Sequence, residues 1–357
     1  MNNFNQTIET IRKQQDLEKF RNAAGKGKEI VLFGAGECGH DVYRILRDAG
    51  IQISLFCDNH LAGHTDEETG IEIVGPGYLQ NDMEKYVLLI CVVVTCQDIY
   101  EQLMLLGFAT DQIFIMKDYF QRPPLGYMER HLSEYKDVYG VLEDEYSKKV
   151  FLAKMRKTYL LKDLSEIVAP MTEQYFDEKV VLTDKEVFID CGGFDGDTAL
   201  QFLKRCNGKY SDIVIFEPEQ CKKSDIERNL SGYHYKLYQT GVWSKSERLF
   251  FDARGTSSSC VSEINSDYTI DVMSLDETVY DRKPTFIKMD IEGSEQEALR
   301  GSMRIIKEFH PKLAICVYHK WEDLYKIPVM IKEWNPDYRL YLRQYSEVGS
   351  ETVLYAL

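Results

Sequence analysis

The sequence lacks any stretch apolar enough to cross a bilayer. Its longest apolar run is the nine-residue "YVLLICVVV" at 86–94, far short of the roughly 20 residues a spanning helix needs. The opening "MNNFNQTIETIRKQQDLEKF" is polar and has no apolar core of the kind that directs export. Both absences predict a soluble, cytoplasmic chain with no membrane insertion. Also missing is any Cys-x-x-Cys spacing: the nine cysteines are odd in number and scattered, several in apolar runs (Cys57, Cys91, Cys191, Cys316). That pattern speaks against a structural zinc site and for reduced thiols. No long Lys/Arg run occurs, and 58 acidic against 43 basic residues give a formal charge of -15. A surface tracking nucleic-acid phosphates is thereby excluded as an expectation, as is a footprint on an anionic membrane. Only nine prolines are present, and two of them, Pro123 and Pro124, sit side by side in "QRPPLG". Neither can continue a helix or donate to a strand ladder, so residues 121–126 read as a domain boundary.

At 357 residues and 44% hydrophobic content, the chain exceeds what one core usually supports, and two domains are expected. Residues 1–24 read as a charged amphipathic packing helix. From 25 to 120, strands ("EIVLF", "ISLFCD", "YVLLICVVV", "QIFIM") alternate with helices ("HDVYRILRDAG", "QDIYEQLMLLG"), which means a parallel sheet with right-handed crossovers. Between 121 and 170, Tyr135, Tyr139, Leu142 and Tyr146 recur at three and four, the spacing of an amphipathic helical connector. A second alternating segment fills 171–357, with strands at "VFIDC", "DIVIFEP", "YKLYQTGVW", "TFIKMDIEG" and "KLAICVYH" and a β-rich insertion between the third and fourth. It ends in two alternating strands, "YRLYLRQYS" and "ETVLYAL", joined by "EVG" as an antiparallel hairpin. The expected fold class is α/β with two doubly wound domains, the second ending as class I methyltransferases do.

Each domain carries a glycine turn between its first strand and first helix. The first, Gly34-Ala35-Gly36-Glu37-Cys38-Gly39, fits G-x-G-x-x-G, with Asp58 at the end of the next strand. Glycines of this kind let amides at a helix start approach a pyrophosphate, and the carboxylate can take ribose hydroxyls. A dinucleotide, a nucleotide-sugar and a purely structural turn all remain open for it. The second turn, "DCGGFDGDT", adds Asp190, Asp195 and Asp197 to Gly192, Gly193, Gly196 and Thr198. That much negative charge opposes a pyrophosphate and suits S-adenosylmethionine, a net cation without phosphate. Its carboxylate can meet the helix-end amides while an acidic side chain holds its ammonium. Glu217, closing the next strand in "IFEP", stands where a carboxylate can accept both ribose hydroxyls.

Taken in order, "QYFDEKVVLTDKEVFIDCGGFDGDT", "IFEPEQ", "SLDETV", "FIKMDIEGSEQEALRG", "ICVYHKWEDLYKIP" and "ETVLYA" make residues 171–357 resemble the FkbM family of methyltransferases. The resemblance implies an S-adenosylmethionine-dependent O-methyltransferase acting on a sugar or polyketide hydroxyl. It implies Asp190, Gly192 and Gly196 at the methionine end, Glu217 at the ribose, and Asp290 and Glu292 beside the methyl group. One departure is Gln344 in "LRQYS", where a histidine is expected. The first domain is similar to small Rossmann-like domains found beside sugar-modifying enzymes, which implies a nucleotide-sugar link.

A sugar hydroxyl needs help to lose its proton. His319, ending the fifth strand in "CVYHKWED", is the candidate base, with Asp323 as its orienting partner; a substrate contact and a structural hydrogen bond are its other readings. Alternatively Asp290, Glu292 and His319 ligate magnesium or manganese. Lys288 shares a strand face with Asp290 and can pair with an acid. Tyr175 and Phe176 precede the first strand of the domain, as a cover for the cofactor or as packing. "NPDY" at 335–338 is a turn into the sixth strand, since the N/D-P-P-Y motif of base methyltransferases belongs after strand four. The expected function is methyl transfer to a hydroxyl of a saccharide or glycoconjugate precursor. Two rivals stand beside it: a nicotinamide-dependent sugar oxidoreductase or epimerase at the first turn, and a binding protein that kept the cofactor pocket. Against the oxidoreductase, the sole Tyr-x-x-x-Lys, Tyr175 to Lys179, lies outside the first domain. An oligomer is compatible with the sequence.

Overall fold

The structure, a computed structural model, describes residues 1–14, 20, 25, 27–48, 50–92, 95–115, 127–159, 173–252, 260–261, 269–346 and 351–357. The expected boundary at 121–126 and the "EVG" turn lie outside the described residues. The chain divides into two compact units, Met1–Arg122 with Met155–Glu166, and Pro123–Lys154 with Ile167–Leu357. The segment expected as a connector is therefore shared between them. Its described part is helical at Tyr127–Arg130, Leu132–Val141 and Glu145–Tyr159.

In the first unit, β1 (Glu29–Phe33), β2 (Leu55–Cys57), β3 (His64–Thr65), β4 (Glu72–Val74), β5 (Tyr86–Ile90) and β6 (Ile113–Ile115) form a sheet in the order β3-β4-β2-β1-β5-β6. All pairs are parallel except β3 with β4. The apolar run of β1 follows from burial on both faces. Val31 and Phe33 join one core cluster, Ile30 and Leu32 the other. Strands β3 and β4 fall between the expected strands "ISLFCD" and "YVLLICVVV" and were not among those expected. Both are very short, and β3 is exposed along its whole length, so no apolar alternation marks it. The helix Asn2–Gln14 buries Phe4, Ile8 and Ile11, a stripe at helical spacing.

In the second unit, β7 (Val187–Cys191), β8 (Asp212–Phe216), β9 (Lys236–Tyr238), β14 (Phe286–Met289), β15 (Lys312–Cys316), β16 (Leu340–Gln344) and β17 (Thr352–Ala356) are ordered β16-β17-β15-β14-β7-β8-β9. The β17 strand runs antiparallel to both of its neighbours, so the terminal hairpin is inserted strand-first beside β15. The insertion forms a sheet of its own from β10 (Gly241–Val242), β11 (Glu247–Asp252), β12 (Cys260–Val261) and β13 (Thr269–Met273). The third expected strand thus splits: β9 stays in the main sheet while β10 leaves it to pair with β13. Gly241 permits this. A Cβ there would stand only 3.1 Å from Val272 Cγ1. Phe188 and Phe202 stack at 4.6 Å beneath the first helix of the unit, with Phe286 beside them. Buried Arg343 of β16 pairs with Asp144, just before the connector helix Glu145–Tyr159, and with Asp177, ahead of β7, at 2.7 and 2.8 Å. The carboxyl ends of β7, β8, β14 and β15 converge at one edge, where open α/β sheets bind ligands.

Candidate active site

The glycine turn after β7 is held from below. Parallel pairing sets Lys288 of β14 opposite Asp190 of β7. The ammonium lies 3.0 Å from Asp190 Oδ1 and donates to the Gly192 carbonyl at 2.6 Å. Asp190 is fully buried; burial raises its carboxyl to about 6, opposed by Lys288. Its carboxylate pairs with Lys288, whose ammonium also feels the charge of Asp290. Gly192 has φ 84°, and a Cβ on it would lie 1.9 Å from the Asp290 carbonyl oxygen. Only glycine lets the turn cross the end of β14 so closely. Gly193 passes Ile215, and Gly196 opens the helix Asp197–Arg205 with Thr198 buried in its first turn.

Above this turn lies a cavity of about 300 Å³. One wall is Glu217, at the end of β8, with Phe194 and Thr198; the insertion sheet supplies Val242, Ile270 and Val272. Glu217 accepts the Phe194 amide on Oε2 and the Glu219 amide on Oε1, both at 2.8 Å. Burial nevertheless raises its pKa to about 7, with those amides pulling the other way. Phe194 is exposed and has Lys222 Nζ 3.7 Å from its ring centre.

The same cavity has an acidic side. Asp290 and Glu292 follow β14 and both line the cavity, while His319 follows β15 and stands behind them. The imidazole Nδ1 is 2.8 Å from Glu295 Oε1, and Nε2 lies 3.5 Å from Asp290 and 3.4 Å from Glu292. Asp290 also accepts the Tyr175 hydroxyl at 2.6 Å and the Tyr318 hydroxyl at 3.4 Å. Burial works against the Asp290 carboxylate, but Lys288, His319 and the Tyr175 hydroxyl keep it below the usual range. Burial raises Glu292 to about 7, with His319 opposing and Asp290 and Glu295 adding to the rise. Four non-glycine residues in the left-handed region, Tyr175, Phe194, Glu292 and Glu351, line this one cavity. Such strain collects at functional sites and persists only where the surroundings impose it.

Two sequence readings are corrected here. Asp323 does not orient His319: it accepts from Gln296 at 2.7 Å and from the Lys320 amide at 3.0 Å, while Glu295 holds the ring. Nor does the imidazole titrate near neutrality. Burial pulls it down, but Glu295, Asp290 and Glu292 together raise it to about 10, which leaves it a poor base in the unliganded protein. Lys288 does pair with an acid, though with Asp190 instead of Asp290. Gln344 is buried and bonds Thr352 and Ser346 within the hairpin, away from the cavity wall.

At the first glycine turn, Asp58 faces inward. Its oxygens accept the amides of His60 at 2.8 Å, Ala35 at 3.1 Å and Leu61 at 3.2 Å. Burial raises its pKa, but those three amides outweigh it and leave the carboxyl below its ordinary value. Gly34 crosses Val92, Gly39 packs on the Gly34 carbonyl, and Gly36 faces open space. The carboxylate expected to take ribose hydroxyls is thus already a staple between the turn and the loop after β2.

Comparison with known proteins bears on the second unit. Residues 190–345 match the methyltransferase FkbM domain. None of the curated proteins matches the chain. Among solved structures, the methyltransferase FkbM from Methylobacillus flagellatus KT is similar over 99% of both chains, at a TM-score of 0.75 and 19% identity, a likeness that shows the fold. A fibrillarin/Nop5p complex (10% identity, 50% of this chain and 76% of that one, TM-score 0.29) carries no argument. The same holds for a TehB-like SAM-dependent methyltransferase from Corynebacterium glutamicum ATCC 13032 Kitasato, at 10% identity, 65% and 98% coverage and a TM-score of 0.24. The domain match supports a methyltransferase. Among the described residues no helix is long and apolar enough to cross a membrane.

Sequence reasoning passed over Glu295 and Glu351, and treated Tyr175 mainly as packing. Glu295 is the first residue of the helix Glu295–Arg300 and is fully buried. A glutamate three residues after Glu292, in "DIEGSEQEALRG", was the available signal.

Proposed function

We propose that the second unit transfers a methyl group from S-adenosylmethionine to a hydroxyl of a saccharide or glycoconjugate precursor. The observation that carries this reading is that Glu217, Asp290 and Glu292 line one cavity together with Gly192, from the ends of β8 and β14 on either side of β7 in the sheet. Glu217 is the partner for the ribose hydroxyls, which can donate to a carboxylate already fixed by two backbone amides. The methionine carboxylate meets the amides at the start of the helix Asp197–Arg205, and the sulfonium faces the acidic wall.

In the transfer the acceptor oxygen attacks the methyl carbon in line with the carbon–sulfur bond. The oxygen–carbon bond forms, the carbon–sulfur pair returns to sulfur, S-adenosylhomocysteine is released, and the hydroxyl proton passes to the acidic cluster. Holding the two reactants in this geometry supplies about 7 to 11 kcal/mol in well-oriented systems. The buried ion pair beneath Gly192, the Tyr175 hydroxyl on Asp290 and the Glu295 hold on His319 fix that geometry before the substrate arrives.

An oxidoreductase at the first turn is disfavoured because the sole Tyr-x-x-x-Lys of the chain, Tyr175 to Lys179, lies outside the first unit. The deciding experiment incubates the full chain with methyl-labelled adenosylmethionine and a panel of nucleotide sugars and oligosaccharides, beside calorimetry with S-adenosylhomocysteine. Label should enter an acceptor, and Asp290→Asn should lower transfer by about 100-fold or more while homocysteine-product binding stays. Absence of heat with either adenosyl compound overturns the reading; binding without transfer to any acceptor supports the non-catalytic rival.

A further inference from the structure

We infer that Asp290, Glu292 and His319 form a binding site for one divalent cation of the manganese class at the acidic wall of the cavity. The inference rests on the proposed methyltransferase reading for its use, though its geometry stands alone. One ligand atom from each of the three residues falls within 4.8 Å of the others. An ion about 2.0 to 2.2 Å from each donor needs separations no larger than roughly twice that length, and His319 Nε2 meets this with Asp290 Oδ1 at 3.5 Å and Glu292 Oε2 at 3.4 Å.

The decisive atom is His319 Nε2. The side chain is 9% exposed, and Nε2 has no hydrogen-bond partner. It stands off from Asp290 Oδ1 and Glu292 Oε2 by nearly equal distances, 3.5 and 3.4 Å, bonded to neither. An imidazole engaged in a hydrogen bond would close on one acceptor to about 2.7 to 2.9 Å. An equal stand-off from two carboxylates leaves the gap that a cation fills.

What lies around the three residues points the same way. Glu295 Oε1 sits 2.8 Å from His319 Nδ1, which fixes the ring so that Nε2 faces the two acids. A carboxylate behind a ligating histidine is the usual support of a metal-bound imidazole. Glu295 is itself held by the Ile291 amide at 3.0 Å. Asp290 has Oδ2 occupied by the Tyr175 hydroxyl, while its Oδ1 has the Tyr318 hydroxyl at 3.4 Å and the histidine at 3.5 Å. Glu292 holds a left-handed backbone, φ 53°, and its Oε2 lies 3.4 Å from the histidine.

The donor set also selects the metal. Two carboxylates suit magnesium, calcium and manganese, and an added imidazole moves the preference toward manganese and the later divalent ions. Three protein donors leave further positions open on an octahedral ion, where an acceptor hydroxyl facing the cavity can bind.

The test uses the full chain, stripped with a chelator and titrated with manganese chloride, without adenosyl ligand. Calorimetry and the manganese spin-resonance signal should report one tight ion per chain, and pulsed spin resonance should show nitrogen modulation from one imidazole. Glu295→Gln, which leaves every ligand in place, should weaken the ion by about 10- to 100-fold. His319→Gln should abolish the nitrogen signal. Loss of manganese binding with S-adenosylhomocysteine binding intact in the stripped protein overturns the metal site and leaves the methyltransferase reading standing. A bound ion without nitrogen modulation in the wild-type protein overturns it as well, and that measurement requires no variant to fold.

Discussion

The two sheets are built alike and part company at one register position. In each, the first strand is flanked by parallel partners and a glycine turn begins two residues after the position in question. In the first unit that position pairs Leu32 with Leu89; in the second it pairs Asp190 with Lys288. Two leucines there contribute apolar burial directly. An aspartate and a lysine must both be stripped of water, and their attraction seldom exceeds that cost. The second sheet accepts the exchange and obtains a fixed ammonium on the Gly192 carbonyl and on the cavity wall. The same divergence appears at the carboxylates closing the second strands. Asp58 and Glu217 each clamp a glycine turn to the following loop, but Glu217 also lines a cavity that Asp290 and Glu292 line with it. What separates a structural glycine turn from a ligand-binding one here is what stands at the end of the neighbouring strand.

The sharpest way to break the comparison is to make the second sheet resemble the first. Asp190→Leu alone leaves the Lys288 charge buried and unpaired, and should destabilise the second unit by about 3 to 5 kcal/mol. Adding Lys288→Leu should restore most of that loss in denaturant unfolding, while S-adenosylhomocysteine binding stays abolished because the turn has lost its anchor. A double variant no more stable than the single one would show that the pair is not merely a substitute for two leucines.

Gly192→Ala comes next. The new Cβ meets the Asp290 carbonyl at 1.9 Å on a backbone with φ 84°, so both sterics and conformation oppose it. A loss of about 2 to 4 kcal/mol with collapse of ligand binding is expected. Gly36→Ala, in the first turn, finds nothing within 4 Å and should stay within about 0.5 kcal/mol of the wild type. Thermal unfolding of both variants checks the contrast.

Much of this contrast was legible in the sequence and some of it was not. Strands such as "VFIDC" and "DIVIFEP" declared themselves because both faces are buried and the runs are mostly apolar. The turn residues and Glu217 were legible because a glycine turn and a strand-end acid have few other uses. The partner of Lys288 was not, since Asp190 lies almost a hundred residues away and only the strand order brings it opposite. Glu295 was missed for a related reason: its burial is decided by the packing of a short helix, which no local periodicity reveals. The first turn misled in the opposite sense. Asp58 sits where a ribose-binding acid belongs, and the amides that occupy it come from a loop whose path the sequence does not specify.

Exchanging the two strand-end acids separates their roles. Glu217→Gln should weaken S-adenosylhomocysteine by about 10- to 100-fold, the effect of losing charge-assisted hydrogen bonds of about 1.5 to 3 kcal/mol. Asp58→Asn should leave that affinity unchanged and lower the stability of the first unit by about 1 kcal/mol. An affinity loss in Asp58→Asn would join the two turns functionally and break the comparison.

The smallest effect is the dependence of cofactor affinity on pH. Glu217 is raised to about 7, first by burial and further by Glu219, against the amides of Glu219 and Phe194 and the charge of Lys288. Since its folded pKa exceeds that of the unfolded chain, the folded protein holds the extra proton between the two values. This group therefore favours folding at low pH and ceases to do so as pH rises through about 7. Ligand binding has the opposite sign, because ribose hydroxyls donate to the ionised form. Above that pKa the affinity for S-adenosylhomocysteine should be flat; one unit below it, the affinity should be about tenfold weaker, with a proton released on binding. Calorimetry in buffers of different ionisation enthalpy measures both quantities. Glu217→Gln should flatten the profile across this range, and an unchanged slope in that variant would move the titrating group elsewhere in the cavity.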